Sequence, residues 1–248
     1  MIHLLEETFY RGISVPVDKV DMTIQKIFKQ GISVGQGQWI LAVPDLRGVD
    51  LLKLVQDPKL NTSITRKKSI NAFAATGDYD TALFYACKHN RTEENTEGVI
   101  IEFNVSLDRV FIDGRDFLYS VFQWYDRRNK DEVNKKRIKQ ILIKIYGSDI
   151  IPYVNQVFKT PYENQNRRIA LVDVAVNDKK CVISHKKNKI WINGRDGTWF
   201  RNSFLIEGKI PPDDIVNVEH VKCNKIVFDR KVPPYVTPNF YISLRDLI

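Results

Sequence analysis

Apolar and polar positions alternate over residues 7–13 well enough to predict a short strand. Residues 21–30 then repeat apolar side chains at helical spacing until Gly31 supplies a stop. Residues 31–38 carry three glycines and read as a loop. Residues 38–43 are apolar and short, which suits a strand or a buried turn of helix, and a helix is expected over 49–55 ahead of Pro58. Residues 69–76 predict an interior strand that breaks at Gly77, after which Asp78 or Asp80 can cap a helix over 79–88. Two further strands are expected at 99–105 and 109–112, joined by a turn at 106–108. From 116 to 160 the period becomes helical, with Val133, Arg137, Ile138, Ile141, Leu142 and Ile145 marking one face beneath a dense basic one. After Pro161 the pattern predicts strands again, at 169–176, 180–184, 189–192, 203–206 and 216–222, punctuated by Asn193-Gly194 and Asp196-Gly197. About eight short strands with few helices predict an α+β fold, one domain spanning 1–248 with a basic helical insert at 116–160.

Composition narrows the class. With 43% apolar and 27% charged residues, the 248-residue chain can bury one sizeable core and is not of a disordered or low-complexity kind. No apolar run approaches the ~20 residues of a membrane span, and Glu6 and Glu7 stand where a secretory leader has its basic segment, so a cytoplasmic protein with no membrane partner is expected. Cys87, Cys181 and Cys223 are odd in number, far apart and outside any metal-binding spacing, which predicts reduced thiols, no disulfide and no metal. The net charge of +8 comes with clusters at 66–68, 127–128, 135–137, 179–180 and 186–187. Such a balance favours a polyanion such as nucleic acid, because each neutralised phosphate releases counterions; a solvated basic surface is the plainer alternative for any single cluster.

Three stretches carry candidate chemistry. Tyr10-Arg11-Gly12 offers a planar guanidinium, the side chain best suited to a pyrophosphate, although an Arg on a short strand is also a common surface ion-pair partner. Phe73-Ala-Ala-Thr-Gly-Asp-Tyr-Asp-Thr-Ala-Leu-Phe-Tyr-Ala86 places small residues at a strand-to-helix turn, where a planar ligand can approach the backbone, and aromatics on the helix, where one can stack on a ring. The competing reading makes Tyr79, Phe84 and Tyr85 the core face of that helix. The third stretch, residues 199–216, runs from Trp199-Phe-Arg-Asn-Ser203 through a strand and Gly208 into a proline-led turn at Pro211-Pro212-Asp-Asp214. That aspartate pair reads as a turn or cap, and His3, His89, His185 and His220 form no paired motif.

Taken in order, these stretches resemble the ADP-ribosyltransferases of the Arg-Ser-Glu class: the YRG strand, the strand and helix around Ser-Thr-Ser, and the final "ExEFLVxGxIPPEDIV" segment. The last is also similar to the strand of DarT-type DNA-modifying toxins. The resemblance covers both ends and the centre of the chain and leaves the basic insert unmatched. It implies a split mixed β-sheet core and transfer of ADP-ribose from NAD as co-substrate, through an oxocarbenium-like transition state that a carboxylate stabilises. It implies that Arg11 holds NAD phosphate or ribose, that Tyr10 and the backbone around Gly12 belong to the same site, that Thr76 supports the strand pair and that Tyr79 or Tyr85 flanks the nicotinamide. Trp199, Phe200 and Arg201 would lie on the loop that meets the target. With Lys135, Lys136 and Arg137 of the insert they form the expected target surface, nucleic acid being the target favoured by charge. A toxin of bacterial or phage conflict, with an antitoxin protein as a partner to look for, completes the implied picture.

The chain departs from the family pattern where it matters most. Ser203 stands at the catalytic glutamate, and Ala75 at the serine that orients it. Losing a preorganised catalytic group costs on the order of 10² to 10⁴ in rate. Three accounts stand open: an inactivating substitution, a natural pseudoenzyme, or another acid in its place, Glu207 and Glu163 being nearest in sequence. Glu207 shares a strand face with Ser203 but lies about 13 Å along it. The rival readings are an ADP-ribosyltransferase acting on a protein side chain and a catalytically silent binding module.

Overall fold

The computed structural model describes residues 5–34, 49–57, 59, 71–89, 95–113, 117–124, 132–193, 199–226 and 241–243. In chain order the strands are β1 (Glu6–Pro16), β2 (Ala72–Thr76), β3 (Thr96–Ser106), β4 (Val110–Ile112), β5 (Trp191–Asn193), β6 (Trp199–Phe200), β7 (Ser203–Glu207), β8 (Ile215–Val221) and β9 (Tyr241–Ser243). The helices are α1 (Val20–Gln30), α2 (Leu51–Gln56), α3 (Tyr79–Phe84), α4 (Phe117–Trp124), α5 (Glu132–Tyr146), α6 (Ile151–Lys159), α7 (Gln165–Asn177) and α8 (Lys179–Lys186). The expected mixture of strands and helices is present. The apolar stretch at 38–43, the basic clusters at 66–68 and 127–128, His3, the loop at 194–198 and the side chains of Trp199 and Phe200 lie outside the described residues. No helix among the described residues is long and apolar enough to cross a membrane.

The chain divides into two compact units. The first, Met1–Gln38, Asn71–Val110 and Asn202–Tyr235, holds strands β7-β2-β1-β3-β8 of a six-stranded sheet of order β4-β7-β2-β1-β3-β8, in which β1/β2, β1/β3, β2/β7 and β3/β8 are all antiparallel. Because cross-strand partners share a face, register decides what each side buries. Phe9, Phe73, Phe103 and Phe204 fall on one face, Phe9 meeting Phe204 edge to face at 5.1 Å and Phe73 tilted against Phe103 at 5.8 Å between centroids. The opposite face receives α3, and only glycine permits the approach. A Cβ on Gly12 would stand 1.9 Å from the Ala82 carbonyl oxygen, and one on Gly98 would stand 2.8 Å from Cys87 Sγ. Helix α3 continues into a π-helical turn at Tyr85–His89.

That turn corrects one expectation. Cys87 and Cys223 are joined in a disulfide across a separation of 136 residues, their Cα atoms 4.9 Å apart, instead of remaining reduced thiols. The bond is buried with Ala82, Ala86, Ile100 and Val221. Sequence distance hid the pairing, because β3 and β8 bring the two ends together beneath α3. Cys181 stays a free, buried thiol.

The second unit, Trp39–Ile70, Phe111–Arg201 and Val236–Ile248, is mostly helical, with a small sheet of order β6-β5-β9. Two strands expected here are helices. Residues 169–176 belong to α7, and 180–184 to α8. The uninterrupted apolar run of α7 could suit a buried strand or a helix enclosed on all sides, and every residue from Arg168 to Val176 is buried, as α2, α4, α6 and α8 pack around it. Both helices have side-chain caps: Asn164 accepts from the Arg167 amide at 3.1 Å and Asp178 from the Lys180 amide at 2.8 Å. Arg168, fully buried, donates to the Thr160 carbonyl at 2.7 Å and the Phe122 carbonyl at 3.3 Å, and lies 5.7 Å from the Tyr162 ring centre.

Candidate functional site

The antiparallel register assembles a polar row across the sheet. Ser203 on β7 is opposite Thr76 on β2, Thr76 is opposite Tyr10 on β1, Tyr10 is opposite Glu102 on β3, and Glu102 is opposite Asn217 on β8. All five therefore point to the face on which α3 lies. Thr76 and Ser203 are buried at 3% and 6% exposure, so this end of the row is a packed floor below the start of α3. Thr76 Oγ1 donates to the Asp78 carbonyl at 2.9 Å, tying the strand end to the helix start.

That helix start is fastened from two sides. Of the two candidate caps the chain uses Asp78, whose carboxylate accepts from the Thr81 amide at 2.9 Å. Asn202, directly before Ser203, donates to the same carboxylate at 3.2 Å, and its carbonyl accepts from the Gly77 amide at 3.0 Å. Asn202 is 1% exposed and holds φ 49°, a left-handed conformation that asparagine tolerates better than most residues. Nothing local in the sequence singles out this residue. An Asn at the head of a strand is a faint signal, and its contact 124 positions away is what gives it meaning.

Tyrosines occupy the open part of the face. Tyr10 and Tyr79 meet edge to face at 6.3 Å; Tyr10 donates to Glu102 at 3.3 Å and Tyr79 to Glu219 at 3.0 Å. Burial, reinforced by these carboxylates, raises both phenols above their ordinary range, Tyr79 to about 12, so each remains a hydrogen-bond donor at neutral pH. Tyr85 instead packs its ring against Phe84 at 5.6 Å within the π-helical turn. Tyr79 is thus the aromatic that shares the row's surroundings with Tyr10.

Arg11 does not join this row. One residue beyond Tyr10, it projects from the opposite face, its guanidinium 4.9 Å from the Phe73 ring centre and Nη1 donating to the Ala74 carbonyl at 3.3 Å. Burial lowers its pKa. Arg11 and Ser203, which the family pattern brings to one ligand, leave the sheet on different sides. Gly12 lies beneath α3, where its lack of a side chain serves helix packing. Glu207 ends β7 at the far end from Ser203, its carbonyl accepting from Arg109 Nε at 2.9 Å and Nη2 at 2.7 Å.

The expected target-surface residues Lys135, Lys136, Arg137 and Arg201 belong to the helical unit. Lys135 is spent on an intrahelical ion pair with Glu132 at 2.7 Å, while Lys136 and Arg137 are exposed. Arg201 stacks 5.7 Å from the Trp191 ring centre. Glu163 lies in the turn before α7, and Asp213 with Asp214 in a 3₁₀ turn of the sheet unit. No family model, no curated protein and no solved structure matches the chain.

Proposed function

We propose that the chain is a mono-ADP-ribosyltransferase of NAD, directed at nucleic acid and weakened at the chemical step by Ser203. One observation carries the reading: three segments far apart in sequence, each resembling a family motif, become adjacent antiparallel strands with Tyr10, Thr76 and Ser203 in one row. In this reading nicotinamide lies over the row near Tyr79. The nicotinamide–ribose bond breaks, nicotinamide leaves with the bonding electrons, and a nucleophile of the acceptor adds to the ribose carbon. Ser203 can donate or accept a hydrogen bond there but supplies no negative charge to the developing cation. For Arg11 to reach a phosphate of the same NAD, its guanidinium must leave Phe73 and Ala74.

A silent binding module is the second reading, and the packing of Arg11 on the opposite face of the sheet favours it. Ser203→Glu separates the two. Under the transferase reading it raises nicotinamide release by on the order of 10² to 10⁴. Two equally inert proteins that both bind NAD by calorimetry support the module, and absence of NAD binding in both removes the transferase reading.

A further inference from the structure

Charge is divided sharply between the two units. The sheet unit carries 12 basic against 16 acidic residues and the helical unit 26 against 14, so the chain's whole positive excess belongs to the helical unit. Within that unit the structure joins two clusters, at 135–137 and 179–180, that lie 42 residues apart in sequence and that alternation assigns to different kinds of element. Helices α5 and α8 meet at their C-terminal turns. His185 stacks on Tyr146 at 5.0 Å and its Nδ1 lies 2.9 Å from the Ile145 carbonyl, while Ser184 closes against Gly147. Lys144 adjoins the first side of this contact and Lys186 and Lys187 the second.

Helix electrostatics explain only part of this arrangement. Lys144, Lys186 and Lys187 sit at helix C-termini, where the macrodipole welcomes cations. Lys179 and Lys180 occupy the first turn of α8, and Lys136 and Arg137 the second turn of α5, toward the ends where the dipole disfavours them. All four are exposed. Stability therefore does not account for these four cations, whereas an external polyanion does. Helix α8 exposes no large apolar side chain and α5 exposes only Val133 and Ile143, with no aromatic anchor of the kind a protein partner or a membrane surface uses. Lys136 and Lys144 are eight residues apart, about 12 Å along the helix, the length of three to four phosphates of one strand.

We infer that the α5–α8 pair is a nucleic-acid-binding surface that follows the phosphate backbone without reading sequence, through Lys136, Arg137, Lys144, Lys179, Lys180 and Lys187. The inference rests on the proposed function only in identifying this polyanion with the molecule that is modified. Binding itself needs no NAD.

The test is fluorescence anisotropy of the full chain, without NAD, on labelled 30-mers of single-stranded RNA and of duplex DNA in two unrelated sequences, titrated with salt. The quadruple variant K136E/R137E/K179E/K180E is compared with K26E/K29E/K222E/K225E, an equal charge change on exposed residues of the sheet unit, both checked for folding by circular dichroism. We expect wild-type affinity to fall steeply with salt and to be indifferent to sequence. The helical variant should bind at least tenfold more weakly, with a salt slope shallower by about three to four, since each lost phosphate contact removes about 0.9. The sheet variant should stay within about threefold of wild type. Equal losses in both variants, strong sequence preference, or no binding at 50 mM salt would overturn the inference, whatever Ser203→Glu does to nicotinamide release.

Discussion

The sheet unit and the helical unit solve the same burial problem by opposite means. The sheet unit joins strands from the beginning, middle and end of the chain, and it locks the face beneath α3 with glycines and a disulfide. The helical unit winds mostly consecutive residues around a single enclosed helix, α7, and it tolerates a buried cation at the centre. Stability in the first therefore depends on contacts distant in sequence, and in the second on neighbours along the chain. Their surfaces differ as well. A net negative sheet unit is a poor place to attract a polyanion, so a polyanion would be gathered by the helical unit.

Arg168→Ala should expose the helical unit's dependence on its spine. The side chain is fully buried and donates to two carbonyls from outside its helix, Phe122 and Thr160. Removing it leaves a cavity and two weakened acceptors, for a loss of about 4 kcal/mol. Denaturant unfolding followed by hydrogen exchange should show the loss across α4 to α8. If protection falls equally throughout β1, β2 and β3, the units are not energetically distinct and the comparison fails.

Cys223→Ser should do the converse. Closing so long a loop restricts the unfolded chain, and removing such a bridge costs about 2–4 kcal/mol in a chain-entropy account. Hydrogen exchange should rise in β3, β8 and the π-helical turn while α7 keeps its protection. A reducing buffer should reproduce the effect in the wild type and leave the variant unchanged. Wild-type stability that is equal with and without reductant would mean the bond contributes nothing.

Much of the fold was legible because local rules and tertiary contacts agreed. Strand β1 alternated, Gly31 stopped α1, and a short acidic cap introduced α3. What failed in α7 and α8 was the period. A run such as Ile169-Ala-Leu-Val-Asp-Val-Ala-Val176 has no polar face, and hydrophobicity alone cannot tell which element will be enclosed. In the site, residue identity was legible and facing was not. Tyr10, Thr76 and Ser203 stood out as candidates, yet only pairing register reveals that they form a row from which Arg11 is excluded, since a shift of one residue reverses the face. Asn202 and the Cys87–Cys223 bond depend on partners 124 and 136 positions away, beyond the reach of any local pattern.

The smallest expected effect concerns protons. His185 is fully buried against Tyr146, and burial outweighs its bond to the Ile145 carbonyl, pushing its pKa down to about 4 from an ordinary value near 6.5. The folded chain thus holds a neutral imidazole where the unfolded chain takes up a proton. Above about pH 6.5 both states are neutral and the residue makes stability insensitive to pH. As pH falls from there toward 4, the unfolded state gains protons that the folded state refuses, and stability is lost, at most about 3 kcal/mol at the lower limit and under 1 kcal/mol at pH 6. The loss should fall on the helical unit, because Ile145, Tyr146 and His185 all belong to it. His185→Gln gives the control: it retains polarity without titrating in this range. Its stability measured between pH 7 and pH 5 should fall less steeply than that of the wild type, with the difference registered in α5 and α8. A difference that registers in the sheet unit instead would tie the two units together by a route that neither the disulfide nor the α7 spine supplies.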